Sequence, residues 1–202
     1  MSGLSDAFNT VAVQEDPSEV ALKLLNVIYS RRADGRLLVE TSLDFRNRDL
    51  TELPNLSNVV VQGDFLFSVN DLTSLKGAPY SVSGDFRGTL NRLKDLRNLP
   101  RHIGGVADLS GNRLRSLKGA EGAEVGVLNV TANPGLKDLE NPPKSFTELQ
   151  SDFGTFKTAD DIPPELRVSE ATRARIRETA DSLAGLTRAV SAPRTATFRK
   201  KP

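Results

Sequence analysis

Four glycines, Gly63, Gly84, Gly105 and Gly126, stand 21 residues apart without exception. Val61, Val82 and Ile103 keep the same step, and so do Asn70, Asn91, Asn112 and Asn133. Leu72, Leu93 and Leu114 follow the first three asparagines by two positions, and Leu75, Leu96 and Leu117 come three later. A copy this short cannot enclose a core. Stability therefore requires neighbouring copies to stack and merge their apolar contents, which restricts the chain to a solenoid. The fullest copy reads V-Q-G-D-F-L-F-S-V-N-D-L-T-S-L-K-G-A-P from Val61 to Pro79. Two imperfect copies flank the regular ones. Leu43, Phe45, Leu50 and Leu53 form the first, with Arg48 in place of Asn. Leu128, Val130, Asn133, Leu136 and Leu139 form the last, stretched at Pro134-Gly135. Five rungs over residues 39–146 follow.

Within a copy the chemistry is positional. Phe65 and Phe67 are two apart, so they share one face of a short strand. Phe86 and Gly88, Ala107 and Leu109, and Leu128 and Val130 repeat that placement. Parallel strands are expected at Leu43–Phe45, Phe65–Phe67, Phe86–Gly88, Ala107–Leu109 and Leu128–Val130, joined in one curved sheet. Each Asn falls where the chain leaves its strand. A buried amide there can both donate to and accept from backbone, so Asn70, Asn91, Asn112 and Asn133 are expected to form a structural ladder. The glycine series is read as serving the turn into each strand. No Lys-Ser/Thr pair follows any of these glycines, so they are not phosphate loops.

This pattern resembles the leucine-rich repeat family, whose consensus is L-x-x-L-x-L-x-x-N-x-L. The L-T-x-L return at Leu50–Leu53 and Leu72–Leu75 is similar to short bacterial and phage repeats. The resemblance implies a curved parallel β-sheet, a turn-rich convex side and a concave binding face. By phase, that face presents Asp44, Leu66, Arg87, Asp108 and Asn129 in one row and Arg46, Ser68, Thr89, Ser110 and Thr131 in the next, with Asp64 and Asp85 just before them. Their mixed sign gives no electrostatic footprint for nucleic acid.

The flanks read differently. Asp16-Pro17-Ser18-Glu19 is a helix start, with Asp16 as cap, Pro17 at the first position and Glu19 placed for a capping box. Residues 1–38 are read as an N-terminal segment whose helix, over about 17–32, covers the open end of the first rung. After Pro142-Pro143 the period is lost. Residues 147–168 are read as a post-repeat cap and linker, with the linker at Ile162-Pro163-Pro164. Residues 169–202 are read as a C-terminal helix and a basic tail. On that helix Ile176, Ala180, Leu183 and Val190 share a thin apolar face. The tail carries Arg194, Arg199, Lys200 and Lys201 and no acid, and it lacks the apolar content to fold unaided.

Composition then bounds function. The 202-residue chain has no Cys, which excludes thiolate metal sites and cysteine nucleophiles, and its single His102 leaves little for a zinc site or a Ser-His-Asp triad. No catalytic set, cofactor or metal site is expected. No signal peptide or membrane span is read, which points to a virion or the bacterial cytoplasm. Charge is balanced overall, 27 Lys and Arg against 26 Asp and Glu, but residues 165–202 hold nine basic and four acidic side chains. The expected function is a non-catalytic protein–protein interaction or structural module within a larger assembly, such as a phage virion component. Its docking candidates are the concave row (Asp44, Leu66, Arg87, Asp108, Asn129) and the C-terminal set Ile176, Leu183, Arg194, Arg199, Lys200 and Lys201. The alternatives are a bacterial effector that binds a host protein and a nucleic-acid-associated protein acting through its tail. The ligase-bearing effectors with similar repeats use a catalytic Cys in a large C-terminal domain, and this chain has neither.

Overall fold

The computed structural model describes residues 15–191, with side chains for all of these except residue 170 and residues 184–191. The chain winds into a β-solenoid of about five turns with a helix on either side. Helix α1 (Pro17–Leu24) precedes β1 (Ser30–Arg31). Each of the first three coils then contributes two short strands: β2 (Leu37–Val39) and β3 (Leu43–Asp44), β4 (Val59–Val61) and β5 (Phe65–Leu66), β6 (Ser81–Val82) and β7 (Phe86–Arg87). In the later coils the two fuse into β8 (His102–Asp108), β9 (Glu124–Asn129) and β10 (Ser145–Ser151), followed by β11 (Gly154–Phe156) and α2 (Glu170–Ser191).

All successive coils pair in parallel. Phe65 faces Phe86 and Phe86 faces Ala107, while Val61 faces Val82 and Val82 faces Ile103. The expected strands pair in parallel within one sheet, and that sheet also carries a second parallel ladder, upstream in each coil, that was not expected. The second ladder is built on Val39, Val61, Val82, Ile103 and Val125, all buried. Val61, Val82 and Ile103 keep the 21-residue step, Val39 and Val125 lie one residue further out, and these β-branched residues alternate with more exposed neighbours, as in Val59-Val60-Val61, which suits a half-buried strand.

The glycines sit at the corner between the two ladders, and the reason for them differs from the one expected. Gly63, Gly84, Gly105 and Gly126 do not have positive φ. They are required by close approach. A Cβ on Gly84 would lie 2.2 Å from Asp64 Oδ1 and 2.9 Å from the Gly63 carbonyl, and one on Gly126 would lie 2.6 Å from the carbonyls of Gly104 and Gly105. The left-handed positions come later in each coil, at Val69, Leu90, Gly111 and Ala132, immediately before each Asn. There the chain swings off the strand and turns the next residue inward.

The core is a continuous column. Phe45, Phe65, Phe67 and Phe86 pack in contact, with Phe65 stacked on Phe86 at 5.7 Å and Phe67 edge-on to Phe86 at 4.7 Å. Gly88 makes room for this cluster, since a Cβ there would meet the Phe67 ring at 2.2 Å. Leu72, Leu75, Leu93, Leu96, Leu114 and Leu117 close the column from the return side, each at most 1% exposed.

Both ends depart from the sequence reading. Helix α1 stops at Leu24, not near residue 32. Asn26 is left-handed at φ 53°, and Val27 N–H bonds the Leu22 carbonyl while Asn26 N–H bonds that of Lys23, a Schellman ending. Asp16 accepts from Ser18 N–H at 2.8 Å as the cap, but Glu19 bonds Tyr29 Oη and Arg31, tying the helix to β1. Leu22 is buried in the core, and Asn58 bonds Asp16 and Ser18, so the helix is fastened to the start of the solenoid. At the other end the period continues past residue 146. β10 pairs in parallel with β9, with Ser145 opposite Glu124 and Leu149 opposite Leu128. The repeat's glycine and asparagine positions hold Thr147 and Gly154 in this coil, which hid it from the period. β11 then folds back antiparallel on β10. The Ile162-Pro163-Pro164 segment is a plug, not a linker: Ile162 is fully buried and Leu139 N–H bonds the Leu166 carbonyl at 2.7 Å.

Candidate binding surfaces

The four asparagines form one line through the solenoid, each at most 8% exposed. Asn91 Oδ1 accepts from Leu72 N–H at 3.0 Å, while its Nδ2 donates to the carbonyls of Phe67 and Gly88. Asn112 and Asn133 repeat this set one coil on. Asn70 accepts from both Arg48 and Leu50 N–H, because the first coil has Arg48 where an Asn would stand. A second line was not read from the sequence. Ser42 Oγ accepts from Asp64 N–H, Asp64 from Asp85 N–H at 2.8 Å, and Asp85 from Val106 N–H at 2.8 Å. Asp64 and Asp85 are therefore corner clamps and not free groups on a binding face. Their 21-residue spacing, directly after Gly63 and Gly84, was the available signal.

The predicted row Asp44, Leu66, Arg87, Asp108 and Asn129 lies in register across adjacent strands, and Gln150 extends it. Its polar groups are largely satisfied by one another. Arg46 bonds Asp44 at 2.6 Å and holds its carboxyl at about 2. Arg87 bonds Asp85 at 2.6 Å, and the Asp85 carboxyl is lowered first by the Val106 N–H and then by Arg87. Asp108 accepts from Ser110 Oγ and from the Asn129 amide. Leu66 is half-buried. The exposed large apolar side chains lie elsewhere, at Val69 and Leu90 on the left-handed row, at Tyr80 before β6, at Phe153 between β10 and β11, and at Leu24, Ile28, Ile176 and Leu183 on the flanks.

In the C-terminal set, Ile176 is 58% and Leu183 60% exposed on α2. Arg194, Arg199, Lys200 and Lys201 lie outside the described residues, as do the side chain of Val190 and the tail. His102 is exposed at the start of β8. A cavity of about 560 Å³ opens between Asn26, Tyr29, Leu38, Glu40 and Leu43 at the first coil. It holds one carboxylate and no nucleophile–base pair. Among the described residues no cluster of three or more His, Asp or Glu could hold a metal ion, and no helix is long and apolar enough to cross a membrane. Comparison with family models, with curated proteins and with solved structures returned no match to this chain.

Proposed function

We propose that the chain is a non-catalytic module of the leucine-rich-repeat type. Its solenoid is the rigid body, and residues 169–202 attach that body to a protein partner in a larger assembly. The leucine-rich-repeat reading is supported by the inward leucines and by the buried asparagines that bond the preceding coil. The attachment reading is carried by one observation: the last coil is closed by β11, Ile162 and Leu166, so α2 is not needed as a cap, and Ile176 on it stays 58% exposed. An apolar side chain on a helix this exposed is suited to a groove on another protein. The excess of basic groups over acids in residues 165–202 favours a groove with an acidic rim. The likeness of the Leu72–Pro79 wording to phage and bacterial arrays favours a particle component over a host-directed effector. The concave row is the lesser candidate, because its charges are already paired with one another.

The test places a photo-crosslinking residue at position 176 and, in separate proteins, at positions 66 and 144, in the expressing host. A discrete protein adduct from position 176, absent from 66 and 144, is the expected result. An adduct from position 66 alone would move the attachment to the concave row and refute the reading.

A further inference from the structure

The body of the chain is mildly acidic as a whole, yet its cations are not spread evenly. Residues 37–164 hold 14 Lys and Arg, and eight of them fall on the return side of the coils: Lys76, Arg92, Lys94, Arg97, Arg113, Arg115, Lys118 and Lys137. All eight are exposed. The geometry follows from the repeat. Leu93 and Leu114 point inward, so Arg92 and Lys94 on either side of Leu93, and Arg113 and Arg115 on either side of Leu114, point outward. Arg115 N–H bonds the Lys94 carbonyl at 3.0 Å and Arg113 N–H that of Leu93 at 3.0 Å, so the coils stack the cations directly over one another. Neighbouring coils are about 4.8 Å apart and alternate residues along one coil about 6.6 Å apart, which makes a close grid of positive charge.

Like charges at that spacing repel, and the molecule neutralises such pairs elsewhere. On the concave side Arg46 and Arg87 each bond a carboxylate. On the return side Asp71 is bound to Arg92 and Asp95 to Arg97, and the Lys94, Arg113 and Arg115 side chains have no acceptor among the described residues. The grid also continues past the last full repeat. Arg173 of α2 bonds the Lys137 carbonyl at 3.1 Å, and Arg173 and Arg177 line a shallow pocket with Lys137.

We propose that this return-side face, centred on Lys94, Arg113, Arg115 and Lys137, binds the phosphate backbone of duplex nucleic acid. A fixed array of Arg and Lys suits a regular row of phosphates, and guanidinium groups bind phosphate oxygens in pairs. The segments that carry Lys94, Arg113, Arg115 and Lys137 hold no aromatic residue on which an unpaired base could stack, and Tyr80, beyond Lys76, is already covered by Arg36 at 3.8 Å, so a duplex backbone fits better than a single strand. The contacts carry no base readout, and binding is indifferent to sequence. This site is separate from α2's apolar face, and it differs from the acid-free tail singled out in the sequence.

The experiment is fluorescence anisotropy of a labelled 20-base-pair DNA duplex with the full chain at 50 and 200 mM salt. About four phosphate contacts give a log–log salt slope near −3.6, a loss of about 150-fold over that range. Lys94→Ala/Arg113→Ala/Arg115→Ala should weaken binding at least tenfold and flatten the slope, with an unchanged circular dichroism spectrum. Lys94→Gln/Arg115→Gln is the second variant, in case the triple one fails to fold. Lys144→Ala/Lys157→Ala should stay within twofold of the parent. Loss in Arg194→Ala/Arg199→Ala/Lys200→Ala/Lys201→Ala as well would add the tail to the face. Loss in that tail variant alone would overturn the proposal. So would the absence of duplex binding at 50 mM salt, and binding to phosphatidylserine vesicles in that case would assign the face to an anionic membrane.

Discussion

Replacing Asn91 by Ala removes one amide from the middle of the solenoid, and the consequences can be counted. The carbonyls of Phe67 and Gly88 each keep a second side-chain donor, Asn70 at 2.9 Å and Asn112 at 2.9 Å respectively. Leu72 N–H keeps none, because Asn91 Oδ1 is its acceptor, and Leu72 is fully buried. One orphaned buried donor costs about 1–3 kcal/mol, and the two weakened carbonyls place the expected loss in the upper half of that range. Asn91→Asp sharpens the argument. Its carboxylate still accepts from Leu72 N–H but turns an acceptor toward two carbonyls in a buried site. It should destabilise more than Ala at pH 7 and recover part of the loss near pH 4, where the protonated acid can donate. Urea unfolding followed by circular dichroism at both pH values measures this. A loss under about 0.5 kcal/mol for Asn91→Ala, or no pH dependence of the Asn91→Asp difference, would refute the ladder as a source of stability.

Three further outcomes follow from the same geometry. Gly84→Ala forces a Cβ to 2.2 Å from Asp64 Oδ1 and close to the Gly63 backbone, and should cost about 1–3 kcal/mol by thermal unfolding, whereas a turn-only role would leave it near neutral. Leu90→Asn should raise stability by about 0.5–1 kcal/mol, since Leu90 is 62% exposed at φ 54° and Asn tolerates the left-handed region far better. The Asp85 carboxyl is lowered by Val106 N–H and Arg87, so its contribution is fully present above the ordinary aspartate range and is lost as pH falls through the lowered folded value. Asp85→Asn should therefore flatten the fall in stability below about pH 4, and an unchanged acid limb would count against the corner clamp.

The sequence was most legible where one residue type recurs for one physical reason. The phenylalanines, leucines and asparagines each face a single environment, so their spacing located the second ladder's partner strands, the core and the buried amides. The upstream ladder was harder to see, although Val61, Val82 and Ile103 marked it, because two-residue strands such as Ser81–Val82 give no alternation to count. The sixth strand of that ladder, β10, escaped because Thr147 and Gly154 replace the markers of the period, yet Leu149 still fills the core position of Leu128. Asn26 ended α1 sooner than its apolar spacing suggested, because a local αL cap outweighs a continuing stripe. The return-side cations were present as R-L-K and R-L-R, but only stacking brings Lys94 over Arg115.

The solenoid is complete without α2. Leu166 packs on the core and its carbonyl receives Leu139 N–H, so the informative truncation ends after Val168. Urea unfolding of the chain ending at Val168, beside the full chain, reads the claim directly. A free energy of unfolding unchanged within about 0.5 kcal/mol is the result predicted. A truncated chain that unfolds or loses several kcal/mol would make α2 part of the body's cap and contradict the account.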